Sequence, residues 1–181
     1  PCGTTSGTAT VTLTVNAPPL PVITSAASAT GTGGQAFSYT ITANNAPTSF
    51  NATGLPAWAS INTTTGAITG VPNAAGLTNA MISATNVTGT TTVALPITVN
   101  LVTPVITSSL TAGATSGSPF NYTITASNLP ASFNATGLPT GLSINTTTGV
   151  ISGTPVVAMG GPVNVMISAT NAAGTDTRTL V

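Results

Sequence analysis

The sequence predicts an all-β protein: two tandem antiparallel β-sandwiches with an extra strand at the N-terminal end. Three observations predict it, namely a period-two alternation of side chains, turn residues between short apolar runs, and an internal repeat. Phe37, Tyr39, Ile41 and Ala43 alternate with Ser38, Thr40 and Thr42, and the pattern returns at Phe120, Tyr122, Ile124 and Ala126. Val93, Leu95, Ile97 and Val99 alternate with Thr92, Ala94, Pro96 and Thr98. Successive side chains of a strand point to opposite faces, so this spacing marks strands with one buried face. The runs are rich in β-branched and aromatic residues, which suit a pleated surface. No stretch combines helical spacing with helix caps.

The repeat sets the organisation. Ser49 to Pro72 reads SFNATGLPAWASINTTTGAITGVP, and Ser132 to Pro155 reads SFNATGLPTGLSINTTTGVISGTP, identical at 18 of 24 positions. Pro21-Val-Ile-Thr24 returns at Pro104-Val-Ile-Thr107, an offset of 83 residues. The offset becomes 85 at Met81 to Asn86 against Met166 to Asn171, so two extra residues fall around Gly160-Gly161-Pro162, where a loop absorbs them. Each unit is long enough to be a domain, unlike the short units of a solenoid. The expected division is a 1–20 extension with a surplus closing strand at 7–16, a first domain over 21–100, and a second over 101–181.

Turns follow in order within each unit. Gly31-Thr-Gly33-Gly34 has the glycines of a phosphate cradle, but a strand pattern and no helix follows it, so it reads as a turn. Gly54-Leu-Pro56 and Gly137-Leu-Pro139 mark bends. Asn62-Thr-Thr-Thr-Gly66 and Asn145-Thr-Thr-Thr-Gly149 read as hairpin loops, in which asparagine folds onto its own backbone and glycine supplies positive φ. The linker Asn100 to Pro104 is short and apolar, which places the two domains nearly end to end.

Composition excludes whole classes of function. Asp176 and Arg178 are the only charged side chains, there is no histidine, and threonine occurs 40 times. One arginine cannot neutralise a nucleic-acid backbone, nor form a polybasic membrane contact. No apolar run approaches the roughly 18 residues of a membrane helix. A hydrolase or transferase needs an activated nucleophile, a carboxylate pair or a metal; with no histidine, lysine or glutamate, the serines and threonines have no base to activate them, and one aspartate cannot form a dyad. The expected assignment is no enzyme, no cofactor and no metal. Asp176 and Arg178, two apart on one strand face, read as a solvated ion pair. Cys2 is the sole cysteine and reads as an unpaired thiol, or alternatively a bridge to another chain.

Candidate contact residues are few. Trp58 reads as a core or bend-packing residue, with a sugar-stacking platform beside Tyr39 as the alternative. Six N-x-Ser/Thr sequons, at Asn51, Asn62, Asn86, Asn121, Asn134 and Asn145, are candidate glycosylation sites in an exported chain.

The series P-x-I-x-S, G-x-x-F-x-Y-x-I-x-A, F-x-A-x-G-L-P, T-G-x-I-x-G-x-P and I-x-A-x-N-x-x-G resembles the He_PIG-type Ig-domain repeats of large bacterial surface and secreted proteins, relatives of the cadherin-like domains. It covers nearly the whole chain twice; Ala57-Trp58-Ala59 departs from the pattern where the second copy has Thr140-Gly141-Leu142. The resemblance implies Ig-like sandwiches, an extracellular or cell-surface location and a non-enzymatic, multi-domain context. Cadherin-like relatives hold calcium through acidic residues, and with Asp176 the sole carboxylate side chain, calcium is not carried over.

The two ends point to assembly. Gly7 to Asn16 matches the closing strand Thr91 to Asn100 in alternation, with Thr8, Thr10, Val11, Leu13 and Val15 as the candidate strand-donating residues. Gly174 to Val181 begins the closing strand of the second unit without counterparts of Ile97 to Asn100. A window on a longer array and strand donation to a neighbouring copy both account for this. The expected function is a structural segment of an extracellular fibre, sheath, matrix or adhesin stalk, with copies of itself as partners. The alternatives are a module that binds surface glycans, and spacer domains of a large secreted enzyme.

Overall fold

The computed structural model describes residues 7–156 and 161–181; Cys2 and Gly160 lie outside them. All regular elements described are strands. The first domain contains β1 (Val22–Ile23), β2 (Ala29–Thr32), β3 (Phe37–Thr40), β4 (Ala43–Asn44), β5 (Ser49–Thr53), β6 (Ala59–Ile61), β7 (Ala67–Gly70), β8 (Gly76–Asn86) and β9 (Gly89–Asn100). One sheet has the order β2-β9-β8-β5, the facing one β3-β7-β6, and β1 pairs with β4. All of these pairs are antiparallel except β2 with β9, which run parallel from Ala29↔Ile97 to Thr32↔Asn100.

The second domain repeats the plan with β10 (Val105–Ile106), β11 (Phe120–Thr123), β12 (Ala126–Ser127), β13 (Ser132–Thr136), β14 (Leu142–Ile144), β15 (Val150–Gly153), β16 (Val165–Asn171) and β17 (Gly174–Leu180). Its sheets are β13-β16-β17 and β11-β15-β14. The counterpart of β2, residues 112–115, belongs to no strand.

Each domain closes over its own core. Ile41, Ile68, Ile82, Leu95 and Ile97 lie in the first, and Ile124, Ile151, Ile167 and Leu180 in the second. These come from the inward-facing positions of the alternating runs, so side-chain parity decides what is buried. Val93 keeps the parity of Leu95 but lies towards the hairpin end of β9 and stays exposed.

The run from Phe37 to Ala43 differs from a single strand. It breaks after Thr40: Phe37–Thr40 pairs with β7, the Ile41 amide donates to the Gly66 carbonyl, and Ala43 then pairs with Ile23. The chain thus changes sheets without losing alternation, because parity continues through the crossing. Residues 7–16, expected as a strand, belong to no strand: a strand exists only through its ladder, and none of the described residues pairs with them.

The Asn-Thr-Thr-Thr-Gly loops close as expected. Asn62 Oδ1 accepts from the amides of Thr64 (3.0 Å) and Thr65 (3.1 Å), and Gly66 has φ +74°. A Cβ at Gly66 would lie 2.7 Å from the Ile41 carbonyl oxygen. Gly66→Ala is therefore expected to destabilise the first domain by at least about 1–2 kcal/mol, the cost of left-handed backbone for a residue with a Cβ. An unchanged denaturant midpoint would contradict this.

Candidate functional site

The chemistry-bearing residues come first because there are so few. Among the described residues, no three His, Cys, Asp or Glu side chains come together. Arg178 Nε lies 3.2 Å from both Asp176 carboxylate oxygens, but the pair is more than a solvated one. Asp176 Oδ2 also accepts from the Ile106 amide at 2.8 Å, fastening β10 to β17. The Ile106 amide, outweighing partial desolvation and aided by Arg178, holds the carboxyl below its ordinary value. A carboxylate lowered in the folded state adds stability that is present above its ordinary value and lost as pH falls through the folded one. Stability is therefore expected to be level between about pH 5 and pH 8 and to decline only in more acidic solution, through the second domain. Asp176→Asn should remove that decline, which thermal unfolding across pH would reveal.

Two asparagines organise the domain entrances. Asn86 Nδ2 donates to the carbonyls of Pro19 (2.8 Å) and Asn45 (2.9 Å), while its Oδ1 accepts from Thr88 (2.9 Å) and Gly89 (3.2 Å). Asn171 repeats this with Val102 and Asn128 carbonyls, each at 2.8 Å, and the Ala173 amide. Each side chain ties the incoming linker to a left-handed turn, Asn45-Ala46 or Asn128-Leu129, and to its own hairpin. Asn86 is therefore corrected as a glycosylation candidate: it is buried, and a glycan on Nδ2 would displace the linker. Asn51, Asn62, Asn121, Asn134 and Asn145 are exposed.

The aromatic candidates face inward. Trp58 is half-buried and meets Phe37 edge-on, ring centroids 5.3 Å apart at 78°, within the packing around the first core. The Tyr39 hydroxyl lies 2.6 Å from the Ala26 carbonyl and 2.9 Å from Ser25 Oγ, so its polar tip is occupied by the β1–β2 connection. The two do not combine into an open stacking surface.

The largest difference between the two repeats lies at one edge. In the first domain Ile97 and Val99 are buried, and β2 lies alongside them. In the second, the Val181 amide donates to the Leu110 carbonyl and the Ala112 amide to the Val181 carbonyl, at the last residue of the sequence given. Beside it lies a cleft of about 670 Å³ lined by Phe120, Leu138, Leu142, Ile151, Val165 and Leu180 among others. Phe120 is only half-buried where its counterpart Phe37 is buried, and Ala114 is exposed where Gly31 is buried. At the other end of the chain, Val11, Leu13 and Val15 are 87%, 84% and 84% exposed. Thr8 and Thr10 are exposed as well.

The chain is similar to several proteins of known structure. A variant of the endo-fucoidan hydrolase MfFcnA4, of glycoside hydrolase family 107, is 17% identical over 88% of this chain and 28% of its own, with a TM-score of 0.50. The titin Ig tandem domains are 16% identical over 88% of this chain and 94% of theirs, at 0.42. A Bacteroides fragilis NCTC 9343 protein described as a "putative alpha-galactosidase/melibiase" is 37% identical over 42% of this chain and 16% of its own, at 0.40. The chain spans less than a third of the length of the glycosidases it matches. No curated protein matches it significantly. The family described as "Putative Ig domain" (He_PIG) matches residues 20–101 and again residues 103–181. The chain belongs to this Ig-domain family, twice over.

Proposed function

We propose that this chain is a structural segment of an extracellular or cell-surface assembly, a fibre, sheath, matrix or stalk, whose partners are copies of itself. The observation that carries the reading is the exposed, uncharged, alternating segment 7–16 on a chain with two charged side chains. A surface without charge lacks the self-repulsion that keeps proteins apart, and edges without lysine lack the usual guard against strand pairing. In a monomer these are hazards; in a polymer they are how units join. Five exposed sequons suit a glycan coat in an exported chain.

Electron microscopy of the native material in dilute buffer and in about 1 M salt, where the Debye length falls to about 3 Å, tests it. Filaments or sheets that persist in both are expected, since ion pairs contribute almost nothing. Dispersed single particles in both solutions, or dissolution in salt, would refute the proposal.

A further inference from the structure

We infer that Asn51 and Asn134, each together with one loop carbonyl, close the outer edges of β5 and β13 against a strand from a second copy. The inference is independent of the proposed self-assembly: it says where copies do not join, whatever joins them elsewhere.

β5 and β13 stand at the outer ends of the sheets β2-β9-β8-β5 and β13-β16-β17, and each is five residues long. On the facing sheets the outer strands are shorter, with three residues in β6 and β14 and four in β3 and β11. An outer strand presents unpaired amides and carbonyls to any extended chain that approaches, and proteins commonly blunt it with lysine. This chain has no lysine. Its two five-residue edges are blunted in another way.

Along an antiparallel strand the backbone groups point alternately to one neighbour and to the opposite side. The Phe50 and Ala52 amides are those of β5 that turn away from β8, and both are taken. Phe50 donates to the Thr63 carbonyl at 2.8 Å, and Ala52 donates to Asn51 Oδ1 at 2.9 Å. β13 repeats the arrangement: Phe133 donates to the Thr146 carbonyl at 2.8 Å, and Ala135 to Asn134 Oδ1 at 2.9 Å. The loop that supplies Thr63 belongs to the β6–β7 hairpin of the facing sheet, so it straps the open side of the sandwich. Close packing holds it there: a Cβ at Gly66 would lie 3.1 Å from Phe50 Cγ, and one at Gly149 3.1 Å from Phe133 Cγ.

A strand that joins an edge must accept hydrogen bonds from it as well as donate to it. To find an amide on β5 it would have to displace the Thr63 carbonyl or Asn51 Oδ1. That exchanges one hydrogen bond for another and removes the net gain of joining. Both parts of the device lie in stretches that read the same in the two repeats. Ser49 to Gly54 matches Ser132 to Gly137, and Ile61 to Gly66 matches Ile144 to Gly149.

Spin labels on the edge test this. In a Cys2→Ser background a nitroxide is placed on Thr53→Cys, at an exposed position of β5. Two β5 strands paired with each other bring their labels within roughly 20 Å, about the length of a strand. Asn51→Ala frees the Ala52 amide and is expected to raise the association constant of this short-distance pair about fivefold or more, within the range that one net hydrogen bond is worth. Asn121→Ala removes an exposed asparagine from β11 and leaves β5 alone, so it should change nothing. Asn134→Ala with the label on Thr136→Cys repeats the experiment on the second domain, and it stands if the first-domain variant folds poorly. A short distance equally populated with and without the asparagine, none in either alanine variant, or a rise with Asn121→Ala would overturn the inference. Absence of filaments under electron microscopy would refute the proposed assembly and leave this result untouched, because the label reports on one edge alone.

Discussion

Ile82→Ala is expected to destabilise the first domain by about 2–5 kcal/mol. Ile82 is 1% exposed at the middle of β8, between Ala52 on β5 and Val93 on β9. Its side chain packs into the Ile41, Ile68, Leu95 and Ile97 cluster, and neither sheet can collapse into the space left behind without breaking its ladder. Ile167→Ala should do the same to the second domain, where Ile167 is fully buried in the equivalent place. Because each domain has a separate core, each substitution should lower one unfolding transition and leave the other within about 0.5 kcal/mol, the usual limit of additivity for distant sites. Denaturant unfolding that shifts both transitions equally would show the two cores to be one cooperative unit.

Asn86→Ala is expected to cost roughly 3 kcal/mol. It orphans two carbonyls and two amides that the side chain now serves, and a buried unpaired polar group costs about 1–3 kcal/mol. These bonds are only partly buried, so the sum stays well below four full penalties. Asn171→Ala, which orphans two carbonyls and one amide, should cost somewhat less, and Asn86→Asp should not rescue, since a carboxylate cannot donate to the Pro19 and Asn45 carbonyls. Proteolysis should then reach the linkers first. A midpoint within about 0.5 kcal/mol of the wild type would mean that the hairpin and linker hold together without the amide.

Much of this architecture is legible in the sequence because period-two alternation is a direct imprint of the pleat. Phe37, Ile41, Leu95, Ile97 and Val99 are buried by parity alone. The sheet change between Thr40 and Ala43 leaves no trace, since alternation passes through it unbroken. The parallel pairing of β2 with β9 is equally silent: Ala29–Thr32 has no apolar face of its own to announce it. Asn86 and Asn171 look like surface residues, one of them within a sequon, and their burial follows from distant carbonyls that no local pattern reveals. Asp176 likewise gains its role from Ile106, 70 residues away. The likeness of Gly7 to Asn16 to the strand Thr91 to Asn100 is readable directly from the repeat.

The parallel pairing of β2 and β9 bears on how the unit carries tension. A pull along the chain enters near Pro21 and leaves at Asn100, so it drags β2 and β9 in opposite directions along their shared axis. The four paired residues from Ala29↔Ile97 to Thr32↔Asn100 are then loaded together in shear, where a hairpin pulled from its open end would unzip one bond at a time.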